Sequence, residues 1–142
     1  MIGDVARPRV CGINHVTFAV AGLDEAIEFY RDVLGCELVA DWPAGAYLTA
    51  GTTWIALVAR EESPSPSTDY THLAFDVSPD QFDGLAERIR ASGAPIWQDN
   101  WTEGDSLYFE DPTGHRLEIH CSSLAARLDS ARRDPWDGLV IH

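Results

Sequence analysis

From Ile13 to Val20 apolar and polar positions alternate, with Val16, Phe18 and Val20 on one face and His15 and Thr17 on the other beside Ile13. That period of two predicts a strand with one buried side. The pattern returns from Thr71 to Val77, where His72 matches His15, Phe75 matches Phe18 and Val77 matches Val20 at a constant offset of 57 residues. Behind each strand the period lengthens to that of a helix. Asp24 to Leu34 carries Ile27, Tyr30 and Leu34 on one stripe and ends at Gly35, a residue suited to a left-handed cap. The second helix begins at Ser78 and Pro79, carries Phe82, Leu85 and Ile89, and stops at Gly93.

Three short strand-like runs follow each helix: Cys36 to Ala40, Ala46 to Thr49 and Thr53 to Ala59, then Ala94 to Trp97, Ser106 to Phe109 and His115 to Cys121. Turn signals separate them, notably Trp42-Pro43-Ala44-Gly45, Ala50-Gly51 and Asp111-Pro112-Thr113-Gly114. The chain therefore reads as two β-α-β-β-β copies, an α+β fold, in one domain over 1–142. The first module covers 12–60, a solvated Pro/Ser connector 61–69, and the second module 70–121. A C-terminal helix and tail follow over 122–142, with Leu124, Arg127 and Leu128 on the helix and Pro135 near its end.

Composition narrows the chemistry. With 142 residues and 45% hydrophobic content, one core of ordinary size is expected. All ten basic residues are arginines, so Schiff-base, pyridoxal and phosphate-loop lysines are excluded. A formal charge of -13 disfavours nucleic acid and anionic membranes as partners. Cys11, Cys36 and Cys121 are widely spaced, and neither a signal peptide nor a long apolar stretch is present. The expectation is a reduced, cytoplasmic protein.

On the expected last strand Arg116, Glu118 and His120 share a face. His15, His72 and Glu118, each on its own strand, have the composition of a two-histidine, one-carboxylate triad that suits manganese, iron(II) or zinc. The alternative is two hydrogen-bonded structural histidines with Glu118 facing water. Asn100 to Ser106 is a polar loop whose oxygens suit a hard cation, or a plain hydrophilic hairpin. For Trp54, Tyr70 and Tyr108 half-buried strand packing is the alternative to a site role, and for Arg127 a solvated helix face.

Paired modules with such residues resemble the vicinal oxygen chelate superfamily, and within it the manganese-dependent fosfomycin glutathione transferases. The resemblance rests on Ile13-Asn14-His15-Val16-Thr17, Phe29-Tyr30-Arg31-Asp32, Gly45-Ala46-Tyr47-Leu48, Asp69-Tyr70-Thr71-His72, Glu103-Gly104-Asp105-Ser106, and Asp111-Pro112 with Gly114-His115-Arg116-Leu117-Glu118. It implies metal ligation by His15, His72 and Glu118, with Mn2+ the expected ion and Fe2+ or Zn2+ the alternatives. It also implies a homodimer in which His15 of one chain meets His72 and Glu118 of the other. Potassium is expected at Asn100, Thr102, Glu103, Gly104 and Ser106.

The small-molecule pocket implied is lined by Thr17, Trp54, Tyr70, Ser106, Tyr108 and Arg127, with Tyr47 reaching in from the second chain. The activity implied is opening of the fosfomycin epoxide by glutathione or another low-molecular-weight thiol. Two departures stand out: Gln98 follows Trp97 where the family has lysine, and Trp101 stands where it has arginine. Each lost charge-assisted bond is worth ~1.5 to 3 kcal/mol. Other outcomes kept open are a water-adding epoxide hydrolase, a dioxygenase, a lyase or a drug-sequestering protein. A glyoxalase I is disfavoured because Trp54 to Val58 offers no second carboxylate.

Overall fold

The structure is a computed structural model that describes residues 7–60, 62 and 64–142. Glu61 and Ser63, two positions of the expected connector, lie outside the described residues, as do 1–6. The first module runs β1 (His15–Val20), α1 (Leu23–Glu28), β2 (Glu37–Trp42), β3 (Gly45–Ala50) and β4 (Thr53–Ala59). The second runs β5 (Leu73–Asp76), α2 (Pro79–Ala91), β6 (Ile96–Gln98), β7 (Ser106–Glu110) and β8 (Arg116–His120), followed by α3 (Leu124–Arg133).

Each module folds into a four-stranded sheet, in the orders β1-β4-β3-β2 and β5-β8-β7-β6. The topology is the same in both, with the first strand parallel to the last and the remaining pairs antiparallel. This is the α+β architecture expected from the repeat. It leaves β1 and β5 as edges of their sheets.

The apolar face of each sheet turns inward. Phe18, Val20, Ile55 and Leu57 from one sheet and Phe109, Leu117 and Ile119 from the other form a common core with Tyr30 and Ile89 of the helical segments. Polar ties cross between modules as well. The Tyr30 hydroxyl donates to Asp111 Oδ2 at 2.7 Å, His115 Nε2 donates to the Ala19 carbonyl at 2.7 Å, and Arg88 Nε donates to the Val33 carbonyl at 2.7 Å. Burial, then the Asp111 charge beside it, pushes the Tyr30 hydroxyl well above its ordinary pKa.

The helix expected over Asp24 to Leu34 is α-helical only to Glu28 and continues as a π-helical turn, Phe29–Val33, closed by Leu34 N–H to the Phe29 carbonyl at 3.1 Å. The wider turn lets the neighbours Phe29 and Tyr30 both enter the core. Gly35 and Gly93 stop their helices with φ of +81° and +82°, as the sequence pattern requires. The turn expected from Trp42 to Gly45 narrows to Pro43 and Ala44, because β2 and β3 pair through Trp42 and Gly45. His72 lies just before β5 rather than within it.

Candidate metal centre

Glu118 sits mid-strand in β8 and is buried, opposite Ala74 of β5 and Tyr108 of β7. Its Oε1 lies 3.0 Å from His72 Nε2. The other imidazole nitrogen, His72 Nδ1, is 2.7 Å from the Tyr70 carbonyl. A carbonyl only accepts, so Nδ1 carries the hydrogen. His72 Nε2 and a carboxylate oxygen then face each other, and a cation between them, proton or metal, resolves the opposition of lone pairs. Backbone orientation of the far nitrogen is the usual support for a metal-ligating histidine.

The Asp69 to His72 turn holds that geometry. The Ser67 hydroxyl, followed by the Thr71 backbone N–H at 2.8 Å, holds the Asp69 carboxyl down at about 2. Arg116 Nη1 donates to the Asp69 carbonyl at 2.6 Å and lies over the Trp97 ring, 5.0 Å from its centroid. Trp97 in turn packs against His72, Tyr70 and Tyr108.

His15 occupies a different place. It is exposed on edge strand β1, its Nδ1 2.7 Å from Asn14 Oδ1 and its ring tilted 32° to that of Trp54 with the centroids 4.2 Å apart. Among the described residues, no three His, Cys, Asp or Glu side chains of one chain are grouped to hold a metal ion. One chain thus brings His72 and Glu118 together and leaves His15 apart from them.

The two sheets are related position by position. Tyr47 pairs with Ala56 as Tyr108 pairs with Glu118, and Thr17 pairs with Ala56 as Ala74 pairs with Glu118. Ala56 therefore stands where a second carboxylate would be. Thr17 and Tyr47 are exposed, and Tyr47 stacks edge-on against Trp54 at 5.1 Å and Trp42 at 4.8 Å. Among the described residues, Trp54 Nε1 is buried without a hydrogen-bond partner. Of the residues read as ordinary strand packing, Tyr108 is fully buried, Trp54 is half-buried, and Tyr70 lies outside any strand, 54% exposed. Tyr70 accepts a hydrogen bond from Gln98 Nε2 at 3.1 Å.

The loop from Asn100 to Ser106 is closed by its own bonds. Asn100 Nδ2 donates to the Gly104 carbonyl at 2.9 Å, and Asn100 Oδ1 accepts from Thr102 N–H at 3.0 Å and Thr102 Oγ1 at 2.9 Å. Glu103 accepts from Ser122 and from Arg127 Nε, the latter at 3.4 Å. The Ser122 hydroxyl, then Arg127, keeps the Glu103 carboxyl below its ordinary range. Arg127 is consequently half-buried against the loop, not on a solvated helix face. Ser106 faces the carboxylate: its Oγ lies 2.6 Å from Glu118 Oε2 and 2.6 Å from His120 Nδ1. His120 was visible only as a same-face neighbour of Glu118, and nothing in its spacing signalled the link through Ser106.

The chain belongs to the Glyoxalase/Bleomycin resistance protein/Dioxygenase superfamily, whose model matches residues 12–119. It is 45% identical over 132 residues to a glutathione transferase FosA from Serratia marcescens, covering 91% of this chain and 94% of that one. It is 38% identical over 137 residues to a metallothiol transferase FosB from Shouchella clausii, covering 92% and 94%. Among solved structures, the fosfomycin resistance protein FosX from Mesorhizobium loti superposes with a TM-score of 0.72 at 29% identity, over 84% of this chain and 99% of that one. A Listeria monocytogenes FosX with Mn(II) and sulfate gives a TM-score of 0.73 at 26% identity, over 86% and 98%.

Proposed function

We propose that this protein is a metal-dependent fosfomycin-resistance enzyme that opens the epoxide by adding a thiol. The observation that carries the reading is the His72–Glu118 pair, with Nδ1 of the histidine occupied by the Tyr70 carbonyl so that Nε2 and Oε1 converge on one point. The likeness to glutathione and metallothiol transferases over about nine-tenths of each chain supplies the reaction class.

His72 and Glu118 would hold a divalent ion, Mn2+ first among the candidates, together with His15 of the partner subunit in a homodimer. Support for the dimer comes from the open edges β1 and β5, which carry or adjoin the two histidines, and from the separation of His15 from the other two within one chain. When bound, such an ion supplies Lewis acidity toward the epoxide oxygen. The chain's own groups do the rest. Thr17 presents a hydroxyl on the exposed face of β1, where it can hold a proton near the incoming nucleophile. Arg127, anchored by Glu103, offers a guanidinium to a phosphonate, and Trp54, Tyr47, Tyr70 and Tyr108 form walls that exclude water. Asn100, Thr102, Glu103, Gly104 and Ser106 form the candidate site for potassium.

The test is turnover of fosfomycin by purified protein with Mn(II), potassium and a panel of thiols including glutathione, with product mass recorded. A thiol adduct formed by the wild type and not by Glu118→Gln is expected. Consumption by no thiol in the panel would overturn the thiol-transferase reading, and a mass gain of one water would replace it with hydrolysis.

A further inference from the structure

Ser106 and His120 face each other across the β7–β8 ladder as Cα partners, which places their side chains on the same face as Glu118. A serine hydroxyl has one hydrogen. An ionised carboxylate only accepts, so at 2.6 Å the Ser106 hydrogen goes to Glu118 Oε2. The equally short Ser106 contact to His120 Nδ1 must then be made by a hydrogen on that nitrogen. Donation runs one way, from His120 to Ser106 to Glu118, and it ends on the carboxylate oxygen that does not face His72.

We propose that Ser106 and His120 are a positioning pair for the metal carboxylate. They pin Oε2 by a short charge-assisted bond and leave Oε1 as the single oxygen offered to the cation. The loop before β7 keeps the imidazole seated. Gly104 has φ of +79°, and a Cβ there would come within 2.7 Å of Ser122 Cβ and 3.0 Å of His120 Cε1, so the loop backbone rests against the ring. This role rests on the metal reading above.

Mn(II) affinity, measured at one pH by the electron-paramagnetic-resonance signal of free Mn(II), tests the pair without turnover. Ser106→Ala and His120→Gln are expected to weaken binding roughly tenfold to a hundredfold, the usual effect of losing a group that orients a ligand. His120→Asn, whose amide reaches the Nδ1 position as the longer glutamine does not, is expected to retain most of the affinity. Because His120 acts through Ser106, the Ser106→Ala/His120→Gln double variant is expected within about twofold of Ser106→Ala alone. Losses that multiply in the double variant, an unchanged His120→Gln, or a His120→Asn as weak as His120→Gln would each overturn the pair while leaving the metal reading in place. Wild-type protein that binds no Mn(II) would overturn both.

Discussion

His72 Nε2 and Glu118 Oε1 stand 3.0 Å apart, on neighbouring chain segments whose other polar atoms are already engaged. Tyr70 takes the far nitrogen of the imidazole and Ser106 the far oxygen of the carboxylate. Replacing Glu118 by Gln keeps the shape and removes the charge. The variant is expected to retain its thermal midpoint to within a few degrees, since side-chain volume is conserved, and to lose bound divalent metal by at least about tenfold. Metal content after dialysis, measured by mass spectrometry, checks this, and full metal occupancy in the variant contradicts it.

The tie between modules is as specific. Asp111 Oδ1 accepts from the backbone N–H groups of Thr113, Gly114 and His115, each at 2.9 Å, while Oδ2 accepts from Tyr30. Tyr30→Phe leaves a buried carboxylate oxygen without its partner and is expected to cost about 1 to 3 kcal/mol. Asp111→Ala, which also frees the turn, costs more. Urea unfolding followed by tryptophan fluorescence reads both, and equal midpoints for Tyr30→Phe and wild type would remove this contact from the stability of the fold.

Burial pushes the Cys36 thiol up to about 11, whereas Cys11 is exposed. A folded-state pKa raised above the unfolded value contributes stability that is complete below about pH 9 and is lost as pH rises toward 11. The urea midpoint is therefore expected to fall over that interval. At pH 8 a disulfide reagent is expected to label Cys11 in the native protein and Cys36 only in denaturant. Peptide mass mapping distinguishes the two, and equal labelling rates would show that Cys36 is not sequestered.

Strand and helix positions were legible because they depend on local periodicity. Val16, Phe18 and Val20 mark the buried side of β1, and Gly35 and Gly93 mark helix ends through a backbone conformation few other residues adopt. The twofold repeat carried the β-α-β-β-β element order of both modules. The π-helical turn at Phe29–Val33 was not legible, since it arises from burying Phe29 and Tyr30 side by side and from the distant Asp111. At the site, His72 and Glu118 were legible as polar-side residues of neighbouring segments, although His72 lies just before β5. The one-way donation from His120 through Ser106 depends on side-chain rotamers, which sequence spacing does not encode. Arg127 looked like a solvated position because its partner Glu103 lies in an irregular loop 24 residues away.

Subunit complementation tests most directly whether the metal is shared between two copies of the chain. His15→Ala and Glu118→Gln proteins, each inactive alone, are unfolded together, refolded as a mixture and assayed for fosfomycin consumption with Mn(II). If His15 serves the partner's Glu118, half of the dimers are mixed and each regains one complete site, so roughly a quarter of wild-type activity returns. If all three ligands belonged to one chain, no mixture would contain a complete site and the activity would stay at zero.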